Sequence, residues 1–400
     1  MNLYFSNVSK PVAKILDHVL NGNELSKQDA TTLLKTDGDD LKAVMDVAHT
    51  LRLASKGNTT SYVVTRNINF TNVCYMACRF CNYGKSKDDP SAELLSLDEI
   101  ISRAVEAHQR GATEVCIQGG LHPDISPYFY QDIVRSIKTA LPDLHIHAFS
   151  PFEIYYGARK SRSSYKDFLT DLKLAGLGSI PGTAAEILDT QVRRRLTKNK
   201  LSAQAWLEII ETAHNVGLSS TATMMYGHVD SEHHWADHMI RIRDIQKRTG
   251  GFTEFVPLGF VHYDSPLYLE SDDVRPGPTR REHIAIHAVA RILFHGYIDN
   301  IQASWVKLGP QLAMESQTFG VNDLGGTLMN ESISRAAGAL YGQEVTADEM
   351  QRMIHSAGFT PRQRTTLYGD VKPEINTLGH SPLEERSHWQ EQQIPAWEVA

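Results

Sequence analysis

Cys74, Cys78 and Cys81 stand in the segment Thr71-Asn-Val-Cys-Tyr-Met-Ala-Cys-Arg-Phe-Cys81, and the 400-residue chain holds one other cysteine, Cys116. The spacing C-x3-C-x2-C is too tight, and the chain too long and too poor in cysteine, for the disulfide framework of a small secreted domain. Thiolates crowded in this way suit a soft metal centre, above all an iron–sulfur cluster. Three ligands on a cube of four irons leave one iron open to a small molecule. Other readings of the same residues stand beside this one. Positions i, i+4 and i+7 share a helix face, so three packed, buried cysteines would show the same spacing. Structural zinc takes four ligands, and the next histidine along the chain is His108. A cluster that only carries electrons would take a fourth cysteine. Cys116 is available, but in Glu-Val-Cys-Ile-Gln it reads as part of a buried strand.

Elements that could position these thiols follow a regular order. Tyr62 to Asn69 alternates like a strand and runs directly into the cysteine loop. Ser96-Leu-Asp-Glu99 is a capping box that opens a helix closed by Gly111. Further strands are expected at 114–118, 144–149, 177–180, 219–225, 253–258, 300–303 and 321–324, with helices at 131–140, 166–174 and 202–216 among those between them. Eight strand–helix units with short loops predict an α/β fold, a (β/α)8 TIM-type barrel. In such barrels chemistry sits at the C-terminal ends of the strands, the face on which the cysteine loop falls. The expected organisation is a helical extension over 1–60, the barrel over 61–330, and a C-terminal extension packed on the barrel over 331–368. Within that extension a second capping box, Thr346 to Glu349, starts a helix, followed by a strand near 364–368. A polar tail is expected over 369–400.

The strand ends supply candidates for the site. Gln118-Gly119-Gly120 closes the second strand, where two glycines let backbone approach a bound molecule. Phe80 precedes the last cysteine of the triplet. His145 and His147 share one face of the third strand, and Ser150 and Glu153 are expected in the loop above it. Glu186 follows a glycine-rich turn, Gly178 to Gly182. Tyr226 and His228 end the fifth strand, where substrate should lie, and Glu254 sits among apolar neighbours on the sixth, where it must be paired or solvated. Gln302, Ser304, Lys307, Asn322 and Asp323 follow the last two strands.

Composition narrows the partners. The net charge is −7 and there is no Lys/Arg block, which argues against nucleic acid. No apolar run approaches the roughly 18 residues of a membrane span. The amino terminus lacks the layout of a signal peptide, so a reducing, cytoplasmic setting is expected, and it suits a thiolate-bound cluster.

With those residues in view, the triplet with Phe80 resembles the signature of the radical S-adenosylmethionine (radical SAM) superfamily. Longer strings resemble its CofH family, a subunit of deazaflavin (FO) synthase: Gln118-Gly-Gly-Leu-His-Pro123, His147-Ala-Phe-Ser-Pro151, Gly178-Ser-Ile-Pro-Gly-Thr-Ala-Ala-Glu186, Thr221 to His228, Gly251 to Pro257, Asn300 to Trp305 and Asn322 to Thr327. The likeness covers about residues 60–368. The menaquinone-pathway enzymes MqnE and MqnC share many of these strings, and Asn82-Tyr83 departs from the Ala-Phe of the family.

The resemblance implies a 4Fe–4S cluster on Cys74, Cys78 and Cys81. It places S-adenosylmethionine near Phe80, Gln118, Gly119, Gly120, Ser150 and Glu186, and catalytic or substrate roles at Glu186, Tyr226, His228 and Glu254. It implies a transferase that joins the 4-hydroxybenzyl group of L-tyrosine to 5-amino-6-(D-ribitylamino)uracil in the biosynthesis of coenzyme F-420. A CofG-like enzyme would be the functional partner, with ferredoxin or flavodoxin as electron donor. The alternatives are another radical SAM activity, of the MqnE, MqnC or CofG kind, or an electron-transfer iron–sulfur protein using Cys116.

Overall fold

Parallel strands pair in chain order around most of the molecule. The structure is a computed structural model that describes residues 7–372. Its strands are β1 (Thr59–Val63), β2 (Thr65–Asn69), β3 (Glu114–Gln118), β4 (His145–Ala148), β5 (Ser179–Ile180), β6 (Ser219–Tyr226), β7 (Phe252–Gly259), β8 (Asp323–Gly326) and β9 (Thr360–Gln363). β2 to β7 form one parallel sheet in sequence order, and β8-β1-β9 form a second. β1 runs into β2 with only Val64 between them, so one broken strand belongs to both sheets. Single-residue bridges from Phe255 to Ile301 and from Gln302 to Asp323 carry the ring from β7 round to β8. The result is the α/β barrel that eight strand–helix units imply.

Two elements differ from the sequence reading. The strand expected at 300–303 shrinks to those two bridges. The Asn322 side chain accepts from the Ile301 amide at 2.9 Å, and the Asn300 side chain donates to the Thr253 carbonyl at 2.9 Å, so side-chain amides share the role of a ladder. The last strand is β9, at 360–363, not 364–368. Among the described residues it pairs only with β1, and an edge strand of this kind tolerates Pro361, which has no N–H to donate. After it the chain turns: Tyr368 N–H returns to the Thr365 carbonyl at 3.0 Å, with Tyr368 at a φ of 64°. Arg364, at the start of that turn, is buried inside the barrel.

Alternation separates the two faces of the sheet. On β3, Val115 and Ile117 are fully buried against the helices, whereas Cys116 and Gln118 on the inner face are only half-buried. Met225, Leu258 and Gln302 are half-buried in the same way on the other side of the barrel. The lumen is therefore the accessible face of the strands, and the apolar core lies between strands and helices.

Three helices precede the barrel, Lys10–Leu20, Lys27–Leu34 and Gly38–Lys56. They are docked by buried arginines. Arg52 donates to the carbonyls of Gly57, Thr59 and Val321, and Arg243 donates to Leu25 O at 2.8 Å. No helix among the described residues is long and apolar enough to cross a membrane. The tail expected over 369–400 lies outside the described residues from 373 onward.

Candidate active site at the strand ends

The cysteine loop leaves the top of β2 and is stitched to its neighbours through backbone. Cys74 N–H donates to Lys85 O at 2.9 Å, Arg79 N–H to Leu196 O at 3.0 Å, and Leu267 N–H to Arg79 O at 2.7 Å. Ala77, between the first two cysteines, has a φ of 48°, a left-handed conformation that costs free energy in a residue with a side chain. All three thiols are free and half-buried. Burial pushes the Cys74 and Cys78 thiols up, Cys78 to about 11, while the amides of Met76 and Leu121 beside Cys74 and the Lys200 ammonium act in the opposite direction. Among the described residues, no three His, Cys, Asp or Glu side chains converge closely enough to share one ion. A cube takes each thiolate on a separate iron and so needs no such convergence. The donor set of three soft sulfurs, with amides and an ammonium beside them, fits an anionic iron–sulfur cluster.

Gly119 and Gly120 bring the end of β3 against this loop. A Cβ on Gly120 would lie 2.3 Å from Val73 O and 2.9 Å from Cys74 Cβ, and one on Gly119 would lie 2.6 Å from the Phe70 ring. The close approach read from the sequence is therefore first an approach to the protein's own loop. Gly119 N–H donates to Glu153 Oε1 at 3.0 Å. Ser150 and Glu153 are not loop residues: they form the capping box of the helix Pro151–Ser161. The Ser-x-x-Glu spacing was the signal for that helix, and Pro151 at its first position supports it. Ser150 is thus occupied by Glu153, with Oγ donating to Oε2 at 2.7 Å. Burial raises the Glu153 carboxyl to about 7, against the hydrogen bonds from Ser150 and Gly119.

Glu186 sits at a φ of 41° in the turn after β5, ion-paired with Lys200, a residue the sequence reading did not single out. Both side chains are nearly inaccessible, at 8% and 4% exposure, which makes this a buried pair and not a surface one. The Lys200 ammonium stands 4.9 Å from the centre of the Phe80 ring and 5.7 Å from that of Phe152. Arg193 holds the turn by donating to the carbonyls of Ala184, Ala185, Ile187 and Leu201. Phe80, Glu186, Lys200 and the cysteines thus share one neighbourhood.

Gln118 and Cys116 face the lumen. Gln118 Oε1 accepts from Thr183 Oγ1 at 2.8 Å, and its amide lies 3.6 Å from Cys116 Sγ. Burial, then Glu114, pushes the Cys116 thiol up to about 12. Lower in the barrel, His145 and His147 both reach Ser179 Oγ, at 2.8 and 2.7 Å. Burial lowers them to about 4 and about 3, so both are neutral, and the one hydroxyl donates to one ring and accepts from the other.

Glu254 completes this floor. Its Oε2 accepts from Tyr368 Oη at 2.7 Å, Gln302 Nε2 at 3.0 Å and Arg364 Nη2 at 3.5 Å. Arg364 is held more tightly by Asp323, with Nε–Oδ2 at 2.5 Å and Nη2–Oδ1 at 3.0 Å, and Ser61 Oγ donates to the same carboxylate at 2.5 Å. Burial raises Glu254 to about 7, with Arg364 opposing. Arg364 and Tyr368 went unnoticed in the sequence because nothing local marks a residue that folds back beneath a barrel.

Tyr226 does not face the lumen. With Met225 half-buried on the inner face, alternation turns Tyr226 outward. There it is fully buried, its hydroxyl 2.6 Å from His283 Nδ1 and its ring edge-on to Trp235. His228 is fully buried beside Phe260, with Nε2 on Met225 O at 3.0 Å and Nδ1 accepting from Val229 N–H at 2.7 Å. Lys307 donates to Ser334 Oγ at 2.7 Å, and Trp305 Nε1 to Gly326 O at 2.9 Å.

Comparison with known proteins agrees with this geometry. Residues 68–242 match the model of the Radical SAM superfamily, and residues 249–376 match that of the CofH/MqnC C-terminal region. The crystal structure of methylornithine synthase (PylB) superposes with a TM-score of 0.67, covering 87% of this chain and 97% of that one; at 19% identity this is a likeness of fold alone. The barrel and its cysteine loop are those of a radical SAM protein.

The chain is 54% identical over 336 residues to the FO synthase of Mycobacterium leprae, covering 84% of this chain and 39% of that protein. It therefore spans about two-fifths of the length of the FO synthases it matches. A Methanopyrus kandleri protein named 5-amino-6-(D-ribitylamino)uracil–L-tyrosine 4-hydroxyphenyl transferase is 51% identical over 329 residues, covering 82% of this chain and 89% of that protein. Within the radical SAM superfamily, the chain belongs to the CofH family to which this transferase belongs. The cofactors of the superfamily are a 4Fe–4S cluster and S-adenosylmethionine.

Proposed function

We propose that this chain joins the 4-hydroxybenzyl group of L-tyrosine to C5 of 5-amino-6-(D-ribitylamino)uracil, with loss of 2-iminoacetate, as a step toward a deazaflavin. The observation that carries the reading is the 51% identity to the Methanopyrus transferase across 89% of that protein's length. Cys74, Cys78 and Cys81 would hold the cluster and leave one iron open. Bound together and given one electron by the donor, cluster and S-adenosylmethionine would supply the radical chemistry that takes a hydrogen atom from tyrosine.

The chain's own part is to place and shield. Gly119-Gly120, fixed by Glu153 and through it by Ser150, would set the edge of the S-adenosylmethionine site. Phe80, Gln118 and the Glu186–Lys200 pair would line it. Lys200 offers a cation to a carboxylate, and Glu186 an acceptor to an ammonium or a ribose hydroxyl. Tyr226, packed behind β6, would position Met225 without touching substrate, and His228, just past the strand, would hold the strand end through the Met225 carbonyl. Glu254 would face substrate from below. A CofG-like enzyme that closes the deazaflavin ring and a ferredoxin or flavodoxin donor are the partners this reading calls for, in the reducing setting of the cytoplasm.

Anaerobic turnover of the reconstituted protein with tyrosine and the ribitylaminouracil, followed by mass spectrometry, tests the proposal. The expected product carries both fragments, together with 5′-deoxyadenosine. Absence of a coupled product while a different acceptor reacts would overturn it.

A further inference from the structure

The floor of the lumen has polar atoms that the fold does not use. Glu254 directs all three of its donors to Oε2, and Oε1 has no partner among the described residues. Gln302 spends its amide N–H groups on Glu254 and Asp323, and its Oε1 is likewise unpartnered among the described residues. His147 uses Nδ1 on Ser179 and keeps Nε2 free in the same sense. These groups come from β4, β7 and the 301–302 bridge, and Arg364 links them: its charge acts on both His147 and Glu254. His147 is level with Cys116 in the register of β3 and β4, two residues below Gln118 at the strand end, a depth of about 7 Å.

Resting on the transferase reading, we infer that this floor is a subsite for the polyhydroxylated ribityl chain of the acceptor, held by Glu254 Oε1, Gln302 Oε1 and His147 Nε2. Position is the first reason. The reacting atoms of tyrosine and of the uracil must stand near the cysteine loop at the mouth, so the part of a substrate that does not react is the part that reaches the floor. Charge is the second. Arg364 is already neutralised by Asp323 and Glu254 and donates its Nη1 to Thr365 O, so among the described residues no free cation remains there for the carboxylate of an amino acid. An unpaired acceptor on Glu254 would repel it. Hydroxyl chemistry is the third. A polyol can donate to two fixed acceptors and either donate to or accept from an imidazole, and it can be desolvated cheaply only where each hydroxyl finds such a partner.

Binding measured anaerobically by calorimetry tests the inference, on the cluster-loaded protein with L-tyrosine and with two acceptors. One is 5-amino-6-(D-ribitylamino)uracil; the other is 5,6-diaminouracil, which has an amino group in place of the ribitylamino group. The variants are His147→Phe and Glu254→Gln. In the second, the donors on the Oε2 side pin the amide oxygen, so an N–H replaces the acceptor at the lumen without a change of volume. The full acceptor is expected to weaken by about 10-fold or more in each variant, the scale of a lost hydrogen bond to a charged or buried group. Binding of diaminouracil is expected to stay within about threefold.

Equal weakening of both acceptors would overturn the subsite, as would weakening of tyrosine alone, which would place the phenol at the floor. If the wild-type protein binds neither acceptor, the transferase reading itself fails. Wild-type binding with no dependence on the ribityl chain overturns only the subsite. Either variant alone decides the matter should the other fail to fold.

Discussion

The mouth and the floor of this barrel are built on opposite principles. At the mouth, Ala77, Ala184 and Glu186 sit at positive φ, the three thiols are free, and loops lean on one another through backbone. At the floor, Ser61, Asp323, Arg364, Glu254, Gln302 and Tyr368 form a network in which nearly every donor is used. Strain and unused ligand atoms at the mouth are affordable because the floor and the shell of helices are closed. On the proposed function, the mouth would hold what the reaction consumes or needs reduced. The floor keeps the barrel in register and leaves only a few acceptors facing inward. Polarity in a lumen is no guide to chemistry until its partners are counted.

Cysteine substitution should break that contrast most sharply. Cys78→Ser removes a proposed cluster ligand at the mouth, whereas Cys116→Ser changes a thiol that faces Gln118 inside the barrel. Cys78→Ser is expected to bring iron content and 5′-deoxyadenosine formation to background, a loss of at least about 10³-fold, as for other groups the chemical step cannot do without. Cys116→Ser should keep its full iron content and a cluster spectrum that still responds to S-adenosylmethionine. Loss of the cluster in Cys116→Ser would make it a fourth ligand and overturn the assignment of the open iron.

Arg364→Met is the corresponding test of the floor. It leaves the Asp323 and Glu254 carboxylates buried without their cation. Removing one partner from a buried ion pair costs about 3–5 kcal/mol. Denaturant unfolding should show that loss as a lower midpoint with an unchanged slope. Folded protein prepared below the new midpoint should still take up iron at the mouth. A loss under about 1 kcal/mol would mean that the network is not what closes the barrel.

How much of this was legible in the sequence follows the same division. The cysteine triplet, the glycine pair and the capping boxes are local patterns, each complete within a dozen residues, and they locate the mouth without any knowledge of the fold. The alternation that gave the strands was equally local, which is why the barrel could be read. The floor is assembled from Ser61, Glu254, Gln302, Asp323 and Arg364, up to 303 positions apart in the chain, and no window contains it. Lys200 was missed for a related reason. A lysine in a polar turn reads as solvated, and only the tertiary approach of Phe80 and Glu186 buries it. Tyr226 ends a strand, where substrate is expected, yet the half-buried Met225 shows that the inner face belongs to the other parity; His228 lies past the strand, where Gly227 at a φ of 93° ends the alternation.

The smallest expected effect comes from a single methyl group, and it tests whether the glycines at the mouth serve the loop or the fold. Gly120→Ala places a Cβ 2.3 Å from the Val73 carbonyl oxygen and 2.9 Å from Cys74 Cβ, so the backbone that carries the first thiol must move. Gly119→Ala meets first the Phe70 ring, at 2.6 Å, in an aromatic cluster with Phe129, Tyr130 and Phe149. Overpacking of this kind costs about 1–3 kcal/mol, and both variants should lose thermal stability on that scale. Their iron content should differ. Displacing Cys74 spoils the placement of one ligand, so Gly120→Ala is expected to take up less iron per chain and to show an altered cluster absorption, while Gly119→Ala loads normally. Equal loading in the two variants would mean that the cysteine loop tolerates displacement at Val73, and that Gly120 is required for the approach of a ligand and not for the approach of the loop.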